Sequence, residues 1–395
     1  MSKWIPSWSY VPIDYGTDAA VLEDVSQRLL ISNNLAGEGL RVRFQNRGGA
    51  GPLVIEHAAI QLINRETGRL SARHALRLHG ESRLVLPPDS RPWSDPLALS
   101  VTAADDFLLW CYFGERSAAR SVCVTFTAKS WQSTQLRGDY RETEALGYTF
   151  KSELAPLLAS DPNHNEYAVG VCAVAVLTGD DSRLVGVFGD SITQMSYFSD
   201  ALLEKLYRAY PGRAALANGG ICGNRVQKPW PVLPDFPGGG KQFGPAGRSR
   251  FRADLCEAAA PDAVFLMEGV NDCTHSLVFC ESEVPTAADI FAALCDVAAQ
   301  AHSLGSRVYM GTVPPFGGFG ESWRAGAEAL RCALNALIRE QAPVEGVVDL
   351  DALLRDPADP HRMRADCHLG DGVHPNWRGG EIMAAAVFAS CLKGD

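Results

Sequence analysis

The sequence predicts an α/β chain in two parts: an antiparallel β-sandwich, jelly-roll-like, over residues 1–180, then a parallel sheet covered by helices over residues 181–395. Three observations carry this. Short strands with alternating or β-branched character recur from Leu29 to about Ala128, separated by Gly, Pro, Asn and Asp. After about Asp181 apolar runs alternate instead with amphipathic helices. No helical stripe of useful length interrupts the first region.

Taken in order, RLLIS, LRVRFQN, LVIEHAAIQLI, SRLVLPP and FLLWCYF are the strands of the first part. In LRVRFQN, Leu40, Val42 and Phe44 share one face and Arg41 and Arg43 the other. The boundary falls between Gln135 and Asp181, where LRGDYRETEALGYTFKSELAPLLASDPNHNEYA is polar and irregular. In the second part LVGVF (184–188), AALAN (214–218), DAVFLM (262–267), SRVYMG (306–311) and GVVDL read as strands buried on both faces. Between them SDALLEKLYRAY, ADIFAALCDVAAQAHSLG and RAGAEALRCALNALIREQ place apolar residues three and four apart, as helices do.

Composition narrows the function. With 395 residues, 46% hydrophobic, the chain has ample material for a core. A net charge of -10 offers no footprint for nucleic acid and is repelled by an anionic lipid surface, so the expected partner is a neutral small molecule or polymer. The oligomeric state stays open. The opening MSKWIPSWSYVPIDYG lacks the apolar core of a secretory signal, and no run is long enough to span a bilayer. The 11 cysteines form no CxxC pair and several sit in apolar runs, which suits a reducing compartment; the expected location is cytoplasmic.

In an open parallel sheet, ligands bind beyond the carboxyl ends of the strands, so the residues after each apolar run bear inspection. After the first comes Gly189-Asp190-Ser191, where Gly permits a sharp turn and Ser opens a helix. On local grounds Ser191 could equally be a helix cap. After the second comes NGGICGN (218–224), whose Gly223 belongs beside a reacting carbonyl. After the third, EGVND (268–272) offers the Asn271 side-chain amide. Near the end, DGVHP (371–375) sets Asp371 three residues before His374. On a helical turn both would project from one face, the carboxylate accepting Nδ1–H and leaving Nε2 for Ser191. Asp190 is expected to bond neighbouring amides, and His275, just after EGVND, either to border the site or, the more ordinary case, to lie in an exposed loop. The order Ser, Asp, His matches α/β-hydrolases, but their elbow is G-x-S-x-G, and here the last position is Thr193.

Gly189-Asp190-Ser191 with Gly223, Asn271 and Asp371-x-x-His374 resembles the GDSL, or SGNH, hydrolase family, whose Ser, Gly, Asn and His blocks all occur here in order. The first block reads GDSI, and Cys222 precedes Gly223 where relatives often carry Ser. The resemblance implies a flavodoxin-like α/β/α domain and ester hydrolysis through an acyl-enzyme. It also implies an oxyanion hole built from the Ser191 N–H, the Gly223 N–H and the Asn271 side chain. WIPSWS, GLRVRFQNRGGAGPLVIEHAAI and LVLPPDSRPWSDPLALSV are similar to the β-sandwich that precedes the catalytic domain in a subgroup of bacterial GDSL esterases.

The expected activity is hydrolysis of short acyl esters, above all acetyl groups on carbohydrates such as xylo-oligosaccharides, with neither metal nor organic cofactor. A metal reading of Cys367, His368, Asp371 and His374 has the right ligand types, but no second cluster completes the site. Two other readings stand beside it: a lipid or lysophospholipid acylhydrolase, and a non-catalytic carbohydrate-binding protein. Aromatic residues on Gly/Pro loops bear on the substrate: Phe316, Phe319 and Trp323 in VPPFGGFGESW, and Trp230, Phe236 and Phe243 in the insertion at 228–251.

Overall fold

The computed structural model describes residues 2–140, 165–278, 283–320 and 325–392. Most of the polar boundary segment and Trp323 therefore lie outside the described residues. The chain divides into two compact units. One comprises Met1–Arg183, Tyr210–Ala215 and Val232–Gln242; the other comprises Leu184–Ala209, Leu216–Pro231 and Phe243–Asp395. The middle of the 228–251 insertion, with Phe236, thus belongs to the first unit.

The first unit is antiparallel. One five-stranded sheet runs in the order Trp131–Arg137, Val25–Ile31, Asp105–Phe113, His57–Asn64, His74–Leu76. Val171–Gly179 lies between Ser2–Tyr10 and Leu40–Phe44, antiparallel to both. The two sets pack through aromatic side chains: Trp8 meets the edge of Trp131 with ring centroids 5.5 Å apart, and Tyr10 meets it at 5.6 Å. Leu40, Val42 and Phe44 face this core, as their alternation predicts. On the other face Arg43 is buried as well, with its guanidinium 5.6 Å from the Trp93 ring, and Arg41 is held between Trp4 and Trp93 at 4.5 and 4.2 Å. The strand Ser2–Tyr10 has no counterpart in the sequence reading. Its Pro6 argues against a strand, and the structure accommodates it with a break in register between Pro6 and Trp8.

The second unit holds a sheet in the order Gly346–Val348, Arg307–Gly311, Ala263–Met267, Arg183–Gly189, Ala214–Gly220. Counted along the chain this is the flavodoxin-like order 2-1-3-4-5. The pairings Val185 to Ala263, Ala263 to Arg307 and Tyr309 to Gly346 are parallel. Val187, Val264, Leu266, Val308 and Met310 are buried, which is why these runs are continuously apolar. The helices Tyr197–Ala209 and Trp377–Val387 pack together, as do Ala287–His302 and Ala325–Gln341. Thr286 and Asp289 close a reciprocal capping box on the third of these helices. The chain reverses direction in the sheet between its first and third strands, so the loops after Gly189 and Met267 open a crevice there. No helix among the described residues is long and apolar enough to cross a membrane.

Candidate active site

The site grows from the end of the strand Arg183–Gly189. Gly189 is needed for closeness rather than for an unusual turn: a Cβ there would overlap the Thr193 hydroxyl and the Met267 carbonyl. Asp190, not Ser191, caps the helix Ser191–Gln194, its Oδ1 accepting the Ile192 N–H at 3.0 Å. Ser191 is therefore the first helical residue, and its hydroxyl is spared for another partner. That partner is His374, whose Nε2 lies 2.8 Å from Ser191 Oγ.

His374 Nδ1 in turn lies 2.6 Å from Asp371 Oδ2. The expected helical turn is absent here. Instead Asp371 Oδ1 accepts the backbone N–H groups of Val373 and His374, each at 3.0 Å, and this side-chain turn folds the imidazole back over its own carboxylate. Burial disfavours the charged form of Asp371, but the bond and charge of His374, with the two amides, outweigh it and hold the carboxyl down to about 2. Gly372 backs directly onto Gly318, whose backbone a Cβ on Gly372 would strike, and Phe319 meets His374 edge-on at 6.2 Å. A hydroxyl, an imidazole and an ionised carboxylate in this chain of contacts form the arrangement that activates a serine.

The loop Asn218–Asn224 folds onto the same turn. Ile221 N–H donates to the Gly189 carbonyl at 3.1 Å, and Cys222 N–H donates to Gln194 Oε1. Gly223 has φ +73°, and the Phe243 ring occupies the place a Cβ would take. Trp230 donates from Nε1 to the Gly223 carbonyl at 2.7 Å and stacks on Phe243 with centroids 4.4 Å apart. Among the described residues, no acceptor takes the backbone N–H of Ser191 or Gly223. Asn271, second residue of the helix Val270–Val278, donates from Nδ2 to the Asn224 carbonyl at 2.9 Å and lies 3.4 Å from Asp190 Oδ2. The longer contact is weak, so that N–H is the one a developing oxyanion can recruit.

Beneath these donors lies a buried ionic cluster that the sequence does not reveal. Arg250, 1% exposed in its side chain, donates to Gly189 O at 2.9 Å, Gly219 O at 2.8 Å, Asn224 Oδ1 at 2.7 Å and Glu268 Oε1 at 3.1 Å. One guanidinium thus ties together the ends of three strands. Asp272 accepts the Val226 and Gln227 N–H groups, both at 3.0 Å. Burial pushes Asp190 and Asp272 up to about 6 and raises Glu268 well above the usual carboxylate range. Arg250 sits in a segment that reads as loop, and no spacing rule points to it.

Ser191, Asp371, His374, Gly223 and Asn271 therefore come together in one unit. The other residues of interest divide. His275 is on a helix, not in a loop, with its ring 4.3 Å from Trp230. Phe316 is fully buried and belongs to the core. Among the described residues no three His, Cys, Asp or Glu side chains gather where they could hold a metal ion; His368 Nδ1 accepts two backbone amides, and Asp371 Oδ2 faces His374 Nδ1.

Residues 187–382 match the model of the GDSL-like lipase/acylhydrolase family. Among solved structures the chain is similar to a lipase/acylhydrolase from Enterococcus faecalis, 19% identical, covering 52% of this chain and 94% of that one with a TM-score of 0.38. It is similar also to a GDSL-like lipase from Bacteroides thetaiotaomicron, 18% identical over 52% of this chain and 86% of that one, TM-score 0.37. A third is a catalytic mutant of an acetylxylan esterase from Geobacillus stearothermophilus, 20% identical over 53% of this chain and 93% of that one, TM-score 0.38. No curated protein matches the sequence.

Proposed function

Because residues 187–382 form a GDSL-like lipase/acylhydrolase domain, and the chain is thus a hydrolase of the ester-cleaving kind, we propose that it removes short acyl groups, above all acetyl, from carbohydrate esters through Ser191. The observation that carries the mechanism is the unbroken run from Ser191 Oγ through His374 to Asp371, at 2.8 and 2.6 Å.

In this reading His374 Nε2 takes the Ser191 proton as Oγ attacks the ester carbonyl, and Asp371 steadies the imidazolium that results. The carbonyl oxygen becomes an anion held by the Ser191 and Gly223 N–H groups and by Asn271 Nδ2. Collapse expels the alcohol, protonated by His374, and leaves acyl-Ser191. Water, deprotonated by His374, then attacks the acyl carbon and releases the acid. Neither metal nor organic cofactor enters these steps.

The short-acyl preference is supported by Phe243 and Trp230. Phe243 packs against Gly223 and Trp230 stacks on Phe243, so in this reading an aromatic wall beside the Gly223 donor limits the acyl group. The same flat surfaces suit a sugar ring. The test is hydrolysis of nitrophenyl esters from about two to twelve carbons, with acetate release from acetylated xylo-oligosaccharides and Ser191→Ala as control. Fast turnover of the shortest ester and of the sugar, abolished in the variant, is expected. Full activity in Ser191→Ala refutes the mechanism. A maximum at long chains assigns the protein to lipid substrates, and binding of the sugar without turnover leaves it a binding protein.

A further inference from the structure

The five residues Gly370 to His374 present a row of backbone N–H groups, and two side chains divide most of them. Asp371 Oδ1 takes those of Val373 and His374. His368 Nδ1 takes those of Gly370 and Gly372, at 2.9 and 3.0 Å. The residues held by His368 are the immediate neighbours of Asp371 on both sides. Around them the loop is a small hairpin: Leu369 N–H donates to the His374 carbonyl at 2.9 Å, Asn376 N–H to the Cys367 carbonyl at 3.0 Å, and Asn376 Nδ2 to the His368 carbonyl at 3.0 Å. The imidazole of His368 fills the middle of that hairpin.

We propose that His368 is a positioning residue for the Asp371–His374 pair, acting as an internal acceptor that fixes the backbone on either side of Asp371. This rests on the esterase reading above. Gly370 and Gly372 have φ +105° and +78°, conformations that glycine adopts readily and leaves as readily. Nothing in their own side chains holds them. The two N–H bonds to one ring nitrogen supply the restraint, and they require the ring to be neutral with its proton on Nε2. If the acceptor is lost, Gly370 and Gly372 regain their freedom and Asp371 turns away from Nδ1. The serine, the oxyanion donors and the substrate wall are untouched, so the cost falls on the chemical step.

The chemistry of the acceptor tells this role from simple packing. Asparagine carries an oxygen on Cγ, where histidine carries Nδ1; glutamine carries it one bond farther out; leucine has none. The experiment measures kcat and KM for nitrophenyl acetate, with Tm, in the full chain bearing His368→Leu, His368→Asn and His368→Gln. Leu and Gln are expected to lower kcat about tenfold or more at unchanged KM. Asn is expected to restore it to within about threefold of the parent, as one acceptor replaces another at the same place. Wild-type kcat in His368→Leu, or an Asn variant no better than Gln, overturns the proposal. Should the Leu variant fail to fold, the comparison of Asn with Gln decides. Loss of activity in Ser191→Ala alongside an indifferent His368 series refutes this inference alone, whereas retained activity in Ser191→Ala refutes the esterase reading beneath it.

Discussion

Replacing Asp371 by Asn separates the two jobs this carboxylate performs. Oδ1 holds the loop through two amide bonds of 3.0 Å, while Oδ2 faces His374 Nδ1 at 2.6 Å. Asparagine keeps an acceptor only at one position. The two backbone donors select its oxygen, so the new NH2 group is turned toward Nδ1. A donor there drives the imidazole proton to Nε2, which sits 2.8 Å from Ser191 Oγ and can then no longer accept. The loop stays folded and the base is lost through the wrong tautomer. The expected fall in kcat is about 10⁴-fold, or about 5 kcal/mol of barrier. Stability should fall by about 1–3 kcal/mol, the worth of hydrogen bonds to a charged group. Asp371→Ala, which removes the loop bonds as well, should lose similar activity with a larger drop in Tm. Nitrophenyl acetate turnover and thermal unfolding read both quantities. More than about a tenth of the parental kcat in the Asn variant would refute the assignment of His374 as base.

Other expectations follow from the surroundings of the serine. Gly223→Ala places a Cβ into the Phe243 ring at a φ of +73°, so kcat should fall about 100-fold, the loss typical of a displaced oxyanion donor; an active Ala variant would remove Gly223 from that role. Phe243→Ala should raise kcat/KM for octanoyl over acetyl esters about tenfold, and an unchanged ratio would show that the ring does not limit the acyl group. Arg250→Ala takes the guanidinium donor away from Glu268, Asn224 Oδ1 and the Gly189 and Gly219 carbonyls and should cost about 3–5 kcal/mol, or about 10 °C in Tm; a shift under about 2 °C would show the cluster to be slack. Asp190 and Asp272 keep their protons to about 6 in the folded chain, against about 4 when unfolded, so folding takes up protons between these values. Their contribution is greatest below about pH 4 and is lost as pH rises through 6, while Asp371, held to about 2, gives full support above about pH 4 and loses it only in stronger acid. Tm should therefore fall between about pH 4 and 6, and a rise across that window would contradict the burial of the two acids.

The parallel half was legible because each of its strands is buried on both faces and each helix on one, which imposes two distinct periodicities on the sequence. Three of the candidate site residues stand out for a related reason: Ser191, Gly223 and Asn271 lie in the segments that follow apolar runs, where the sheet must end, whereas Asp371 and His374 are marked only by their spacing. The physical basis of their arrangement was less visible. Ser191 and Asp190 are adjacent and both are good caps, so only the backbone decides that Asp190 takes the cap. The Asp371–His374 spacing suggests a helix, yet glycine on both sides of Asp371 permits a tighter turn closed by its own carboxylate. Ser2–Tyr10 was hidden because its partner Val171–Gly179 lies far along the chain, and pairing of that range leaves no local pattern. Arg250 and Glu268 were hidden for the opposite reason: a buried ion pair looks in sequence like two surface residues.

The reach of Arg250 bears on how this hydrolase could be re-engineered. The segment that supplies the aromatic wall, Trp230 and Phe243, continues directly into the short helix Gly247–Phe251 that carries the guanidinium. Exchanging the whole stretch for a relative's loop, the obvious route to a new acyl range, would take out a tie between three strand ends together with the wall. A graft that stops before Ala246 replaces the two aromatic residues and keeps the anchor, so the junction chosen for the swap decides whether the tie between the strand ends survives it.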